Sequence, residues 1–206
     1  MPALDATIAA IDAANADDPR LIEGRVFELV YAERMSARLA ALYPDASDLL
    51  IIATRAQHLR RWEIDRATYE EGRRGYNDWR RACRIHHAKL VEEIMRAHGY
   101  DAPAIAHVGA LIRKEQLKKD PESQALENIA AIVFLEHYFD DFLEKHRDYA
   151  DDKLVDILGK TLCKMSPKGH AAAVALPLAP RARELVEAAI AREAAALARL
   201  AAVAVD

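Results

Sequence analysis

Apolar residues recur along almost the whole chain with a period close to 3.6 residues, which is the period of an α-helix that buries one face. Residues typical of turns, mainly Asp, Pro and Gly, separate these segments. No stretch alternates apolar and polar positions over the length that a β-strand needs. The pattern predicts an all-α protein of about eight or nine helices. The clearest cover about Leu4–Asn15, Val26–Leu42, Tyr76–His98, Ala102–Gln116, Asp120–Phe142, Asp151–Met165 and Arg181–Val203.

Capping residues indicate where several of these helices begin or end. Asp45 or Ser47 can cap a further helix that reaches His58, because a short side-chain oxygen accepts a free N–H of the first turn. Gly99 suits a helix end, and Pro121 suits the first position of the helix that follows Asp120. Irregular segments are expected over residues 60–73 and, with several prolines, over residues 166–180.

Length and composition predict one domain over residues 1–206, with a core at about 20–165 and a C-terminal Ala-rich helix at about 181–203. The net charge of −4 and the pI near 6.1 give no general attraction to DNA or to an acidic membrane surface. No targeting segment or membrane span is apparent, and the two cysteines are not in metal-ligand spacing. We therefore expect a cytoplasmic protein, whose oligomeric state the sequence leaves open.

Polar residues that could carry chemistry interrupt three of the predicted helices. His58 closes a mostly apolar segment, and Glu127 begins the sequence Glu-Asn inside another. His86 and His87 are adjacent, so their side chains point about 100° apart and only one of them can face a given pocket. His87 shares its side of the helix with apolar residues and is the better inward candidate. The alternative for each is an ordinary hydrogen-bonded histidine or a surface acid.

A basic and aromatic segment extends from Arg55 to Arg84 and contains nine arginines against five acidic residues. Trp and Tyr residues are interleaved with them. Guanidinium groups bind phosphate or carboxylate through paired hydrogen bonds, and aromatic rings offer faces for stacking. The segment predicts a site for a small anionic molecule. A solvated face with internal Asp and Glu partners is the plain alternative, and RNA binding is a further one.

Five stretches of the chain resemble an uncharacterised family, domain-of-unknown-function family 4202. The most specific of them is Ala56–Ile64, with Gln-His-x-x-Arg-Trp-Glu-Ile, and the resemblance runs from about residue 5 to residue 190. The other four stretches are Tyr31–Met35, Gly75–Arg80, Leu111–Lys114 and Phe134–Phe142. More distantly, the order of the polar clusters is similar to the HD domain of metal-dependent phosphohydrolases.

The HD resemblance implies an HD-like helical core and a divalent metal, Mn, Fe or Zn, that activates water for attack on a phosphoester. It implies His58, His87 and Glu127 as metal ligands, and Glu33 or Glu127 as the group that orients water. Leu59 departs from the pattern, because it stands where the Asp of the His-Asp pair is expected and cannot bind a metal. The predicted catalytic residues are His58, His87, Glu33 and Glu127.

These observations together favour a diverged HD-like hydrolase that acts on a small phosphorylated or nucleotide-like substrate. The alternatives are a binding module for an anionic metabolite that has no catalytic activity and, less favoured by the negative net charge, an RNA-associated interaction protein. The predicted substrate-binding residues are Arg34, Arg60, Arg61, Trp62, Arg66, Tyr76, Trp79, Arg80 and Lys114.

Overall fold

The computed structural model of the protein describes residues 3–205 and is all-α, as the sequence predicts. Within that range no helix is long and apolar enough to cross a membrane. Besides a small hairpin, the described chain contains ten α-helices. They are α1 (Leu4–Asn15), α2 (Phe27–Leu42), α3 (Asp48–Arg55), α4 (Gly72–Ala97), α5 (Ala102–Arg113), α6 (Pro121–His137), α7 (Phe139–Lys145), α8 (Asp151–Leu162), α9 (Pro167–Val174) and α10 (Pro180–Ala201).

The capping residues have the roles that the sequence predicts. Ser47 Oγ accepts the Leu50 N–H at 3.1 Å, and Asp120 Oδ1 accepts the Ser123 N–H at 2.6 Å. Gly99 follows α4 with a φ of 79°, in the left-handed region that favours glycine. Local chemistry therefore determines where these helices begin or end.

Several helix boundaries differ from the prediction: α3 ends at Arg55 and does not reach His58, and α4 begins at Gly72 instead of about Tyr76. The single long helix expected from Asp120 to Phe142 is divided into α6 and α7, because Tyr138 adopts φ −131° and ψ −6°, outside the helical region. No breaking residue marks this point in the sequence. Residues 166–180, expected to be irregular, contain α9, because Pro167 occupies the first helical position, where the missing N–H has no consequence.

A two-stranded hairpin connects α1 to α2. Its strands are β1 (Leu21–Ile22) and β2 (Arg25–Val26), which pair antiparallel. The turn residues Glu23 and Gly24 both have positive φ, at 54° and 74°, as a tight hairpin turn requires. The reversal returns the chain on itself just before α2 begins, so residues on either side of the hairpin become neighbours.

The structure divides after Gln116 into two compact units, and the expected single domain over residues 1–206 stays a prediction. The first unit contains α1 to α5. Its core includes Ile11, Met35, Ile52 and Met95, which are fully buried. Arg55 at the end of α3 donates two hydrogen bonds, of 2.6 and 2.7 Å, to the carboxylate of Asp12 in α1. This ion pair fixes the end of α3.

The second unit contains α6 to α10, and its polar core residues have structural roles. Asn128 of α6 is fully buried, accepts the Ser166 N–H at 3.0 Å and donates to Ser166 Oγ at 2.8 Å. Gln124 donates to the Lys164 carbonyl at 2.9 Å. These bonds hold the chain immediately before α9. The side-chain amide of Asn128, the residue after Glu127, is therefore engaged in packing α6 against α9.

The contact between Asn128 and Gly169 gives a prediction for stability. A Cβ atom at Gly169 would lie 2.5 Å from Asn128 Oδ1, which two hydrogen bonds hold in place. We expect Gly169→Ala to lower the free energy of unfolding by about 2 kcal/mol. Gly159→Ala is the matched control, because its nearest contact is the flexible Glu193 side chain at 3.0 Å. Urea denaturation measures both, and equal effects of the two substitutions would contradict the assigned role of Asn128.

Candidate functional site

The chain between α3 and α4 brings His58 and His87 together. Arg60 adopts a left-handed conformation with φ 51°, which is uncommon for a residue other than glycine, and its N–H donates to Asn15 Oδ1 at 2.9 Å. The preceding carbonyl, of the fully buried Leu59, accepts a hydrogen bond of 2.7 Å from Nδ1 of His87 in α4. The two imidazole rings consequently lie with their centroids 6.0 Å apart.

A buried carboxyl group of α2 completes this cluster. The Glu28 side chain is 0 % exposed, and its Oε1 accepts a hydrogen bond of 2.5 Å from Arg20. Its other oxygen, Oε2, lies 3.4 Å from His58 Nδ1. The His58 ring stacks on Tyr31, one turn further along α2, at a centroid distance of 3.8 Å and an interplanar angle of 9°. The hairpin accounts for the Arg20 contact, because it carries the chain back to the start of α2. We call Glu28, His58 and His87 the His58 cluster.

The environment of Glu28 favours its protonated form. Burial raises the pKa of this carboxyl group from 4.5 to about 7, although the positive charge of Arg20 and its hydrogen bond act in the opposite direction. Arg61 lowers the pKa further, to a smaller extent. Glu28 therefore gains or loses its proton near neutral pH, where an ordinary glutamate would be ionised.

Both histidines are held in their neutral form. Burial lowers the pKa of His58 well below 6.5, and the positive charges of Arg61, Lys114, Arg80 and Arg20 lower it further. Burial also lowers the pKa of His87, with His58 and Arg61 as the next causes. The potential at the two rings is thus positive, although the chain as a whole carries a net charge of −4.

The hydrogen bonds of the His58 cluster leave acceptor and donor positions open. His87 Nδ1 donates to a carbonyl oxygen, so in the neutral ring Nε2 is an acceptor. Within residues 3–205, His87 Nε2, His58 Nδ1 and Glu28 Oε2 are buried and have no well-formed hydrogen bond. An unsatisfied buried polar atom costs about 1–3 kcal/mol, so a group of them in one place indicates a site for function more than for stability.

Two arginines of the predicted binding set lie against aromatic rings. The Arg61 guanidinium is 4.5 Å from the ring centroid of Trp79, and that of Arg80 is 5.8 Å from the centroid of Tyr76. Trp79 itself is fixed by a hydrogen bond of 2.8 Å from its Nε1 to the Ile64 carbonyl. Across the described part of the chain, no carboxylate forms an ion pair with either arginine within 4.0 Å. The guanidinium groups of Arg61 and Arg80 can therefore bind an external anion.

Other residues of the predicted binding set are engaged within the protein. Arg60 pairs with Glu63, donating from Nε at 2.8 Å, and its guanidinium lies 5.7 Å from the ring of Trp62. Arg66 donates to two backbone carbonyls at the end of its own loop, at 3.0 and 3.1 Å. Lys114 ends α5 in a left-handed conformation with φ 61°. Of these residues, the structure connects Lys114 with the His58 cluster, through its effect on the pKa of His58.

The predicted acid Glu33 lies on a different face of α2 from the His58 cluster. Its side chain is 44 % exposed and accepts two hydrogen bonds, of 2.7 and 2.8 Å, from Arg25. The adjacent Arg34 pairs with Glu23 at 3.3 Å. These contacts hold the side chains of Glu33 and Arg34 against the hairpin. The carboxyl group beside His58 is that of Glu28.

The HD resemblance predicts a metal centre formed by His58, His87 and Glu127. Over residues 3–205, no group of three or more His, Cys, Asp or Glu side chains is arranged to hold a metal ion. Glu127 belongs to the second unit, where it is 7 % exposed, whereas His58 and His87 belong to the first. Leu59 contributes a buried aliphatic chain. Metal binding stays a prediction.

Sequence reasoning missed Glu28 and Arg20, although one signal for Glu28 is present. Glu28, Tyr31, Met35 and Leu39 have spacings of three and four residues, so they share one side of α2. Tyr31, Met35 and Leu39 belong to the apolar stripe of the helix, which predicts that an acid aligned with them is buried. The position of Arg20 depends on the hairpin, whose strands of two residues each are too short to be recognised from an apolar pattern.

A concave region lies between α4 and α5. It is a groove of about 440 Å³, and none of the predicted site residues lines it. Its lining residues are Glu92, Arg96, Tyr100, Ala102, Ile105, Ala106 and Arg113. The Glu92 and Arg113 side chains in it pair with each other at 2.7 Å.

Comparison with known proteins identifies the family of the chain. The family model described as Domain of unknown function (DUF4202) matches residues 5–186, which is most of the sequence. The chain belongs to this family. No curated protein and no solved structure matches it. The resemblance expected from the five sequence stretches is therefore confirmed for this family, while the HD-like core stays a prediction.

The buried carboxyl group gives a prediction for pH-dependent stability. Between pH 4.5 and about 7 the folded state retains a proton on Glu28 that the unfolded state has released, so this residue lowers stability as pH rises through that window. Glu28→Gln removes the effect. We expect the unfolding free energy of the variant, relative to the unmodified protein, to increase by about 3 kcal/mol from pH 5 to pH 8.

Urea denaturation at both pH values measures this difference. Glu33→Gln is the control on the same helix, because its exposed ion pair should contribute no more than about 1 kcal/mol. A difference between Glu28→Gln and the unmodified protein that stays constant from pH 5 to pH 8 would show that Glu28 is ionised throughout.

Proposed function

We propose that this protein binds the phosphate group of a small phosphorylated molecule beside His58 and hydrolyses its ester bond, with His58 as the general base. The observation that carries the proposal is the pairing of a neutral, largely buried His58 with the carboxyl group of Glu28 in a positive surrounding. Such a combination of perturbed groups is typical of catalytic sites. An ion pair that served only stability would not need to leave buried polar atoms without hydrogen bonds, as the His58 cluster does.

Phosphate binding is supported by the arginines near the cluster. Arg61 and Arg80 contribute positive charge at His58 and have no carboxylate partner among residues 3–205. A guanidinium group binds phosphate through two parallel hydrogen bonds. Charge attraction is also stronger at the edge of a protein interior than in water. An anion bound there would compensate the positive potential at the histidine rings.

Proton transfer follows from the tautomer of His58. When Glu28 is ionised, its Oε2 accepts a hydrogen bond from His58 Nδ1–H, and Nε2 of the neutral ring is then an acceptor that can take a proton from water. When Glu28 is protonated, it donates to Nδ1, and the proton of the ring lies on Nε2, which can no longer act as a base. The 3.4 Å separation is long for a hydrogen bond and needs to shorten in the complex.

His87 would assist through the acceptor at its Nε2. Its Nδ1–H is committed to the Leu59 carbonyl, so the ring cannot change tautomer without losing that bond. Nε2 can therefore hold a water molecule or a hydroxyl group by accepting a hydrogen bond. The distant relation to HD-domain hydrolases is part of this proposal and rests only on the order of His58 and His87 along the chain. No step of the proposal requires a metal.

A second candidate function is binding without hydrolysis. The observation that favours it is Leu59, whose fully buried side chain packs in the core where an HD domain is expected to place an acid. In that case the arginines would retain a phosphorylated metabolite and His58 would have no substrate proton to accept.

We also expect a cytoplasmic location, which the free thiols of Cys83 and Cys163 support.

Hydrolysis of p-nitrophenyl phosphate tests the proposal. We expect kcat/KM to rise about tenfold per pH unit up to about pH 7 and then to level off, because the base form requires ionised Glu28. His58→Ala and Glu28→Gln should each lower kcat by at least about 100-fold. Arg61→Ala combined with Arg80→Ala should mainly raise KM. His98→Ala, at the end of α4, is the control that retains activity.

The binding of inorganic phosphate separates the two candidate functions. An inactive protein, with or without added Mn²⁺, that still binds phosphate through Arg61 and Arg80 would support the binding module. A protein that neither hydrolyses the ester nor binds phosphate would contradict both candidates. Calorimetry on the unmodified protein and on the double arginine variant gives this measurement.

A further inference from the structure

Near its start, α4 carries two aromatic rings, and the guanidinium groups of Arg61 and Arg80 lie against them. Tyr76 and Trp79 are three residues apart on this helix, with ring centroids 5.8 Å apart and an interplanar angle of 43°. Arg61 lies against Trp79, and Arg80 lies beside Tyr76. The positive charges of the same two guanidinium groups also act on His58, whose pKa they lower.

The two rings differ in their accessibility. Trp79 is held at one edge by the Ile64 carbonyl, with a bond of 2.8 Å, and Arg61 covers one of its faces at 4.5 Å. Tyr76 is 44 % exposed, which is unusual for so large an aromatic side chain beside a second ring. Gly75, the residue before it, is packed against the Glu70 backbone, because a Cβ atom there would lie 2.0 Å from the Glu70 carbonyl oxygen. The backbone at Tyr76 is thus anchored while its ring remains accessible.

We propose that the phosphorylated molecule is a mononucleotide whose base stacks on Tyr76 while its phosphate group is bound by Arg61 and Arg80. This inference rests on the proposed function and adds the class of substrate. Stacking on an aromatic ring stabilises a bound planar base, whichever of the bases it is. A guanidinium group beside the ring adds a cation–π contribution. A phosphorylated sugar without a base would use the arginines alone.

The charge distribution favours a mononucleotide over a nucleic acid strand. The arginines near the rings alternate with acidic residues, and the chain carries a net charge of −4. A strand needs a continuous row of cations along its phosphates, and its binding depends steeply on salt. Glu70, Glu71 and Asp78 lie in the same part of the chain as Tyr76 and would oppose such a row.

Calorimetry with adenosine 5′-monophosphate and ribose 5-phosphate tests the inference. We expect the unmodified protein to bind the nucleotide about tenfold more tightly than the sugar phosphate, because the base adds one stacking contact. Tyr76→Ala should remove most of that difference and leave the affinity for ribose 5-phosphate unchanged. Tyr76→Phe keeps the ring and should retain the difference. Tyr100→Ala, on the groove between α4 and α5, should leave both affinities unchanged.

Four results would overturn the inference. Equal affinities for both ligands, or a Tyr76→Ala variant that weakens both equally, would remove the base subsite but leave the phosphate site intact. Failure to bind either ligand would overturn the inference together with the proposed function. A single-stranded oligoadenylate that binds more tightly than the nucleotide, with a steep salt dependence, would show a nucleic acid surface instead.

Discussion

The carboxyl group of Glu28 lies wholly inside the first unit, and the surrounding residues are arranged so that a charged or polar group can be tolerated there. Removing an unpaired carboxylate from water costs several kcal/mol, so the group must be paired or protonated. Arg20 supplies one hydrogen bond because the Glu23-Gly24 hairpin returns it to the start of α2. Burial favours the protonated form of the carboxyl group, because it raises the pKa of Glu28 to about 7. The site thus depends on a group that is neither fully ionised nor fully neutral.

The other parts of the proposed site follow from this constraint. His58 can lie beside a buried acid because it is itself neutral, and the stacking on Tyr31 fixes the plane of its ring. Nearby arginines keep the potential positive, so an anion is attracted to a place that repels a proton. Binding a phosphate group would reduce this repulsion, and protonation and ligand binding would consequently be linked. The bound phosphate would thus offset the positive charges that disfavour an imidazolium ion in the free protein.

The sequence predicted much of the fold and only part of the site. Helices are determined by local periodicity and by caps such as Ser47, and both are readable from the chain. The break at Tyr138 is not, because no breaking residue accompanies it. His58 and His87 were found because histidines on apolar helices are conspicuous. Glu33 was named and Glu28 was missed, because the sequence does not show which acid of α2 lies beside His58.

The state of His58 as a function of pH is the most direct test of this account, and nitrogen NMR of the imidazole ring measures it. The account predicts a neutral ring from pH 6 to pH 8, with the proton on Nε2 below pH 7 and on Nδ1 once Glu28 ionises near pH 7. Glu28→Gln should abolish that change of tautomer. An imidazolium signal for His58 at pH 6, or a tautomer that does not change across pH 7, would contradict it.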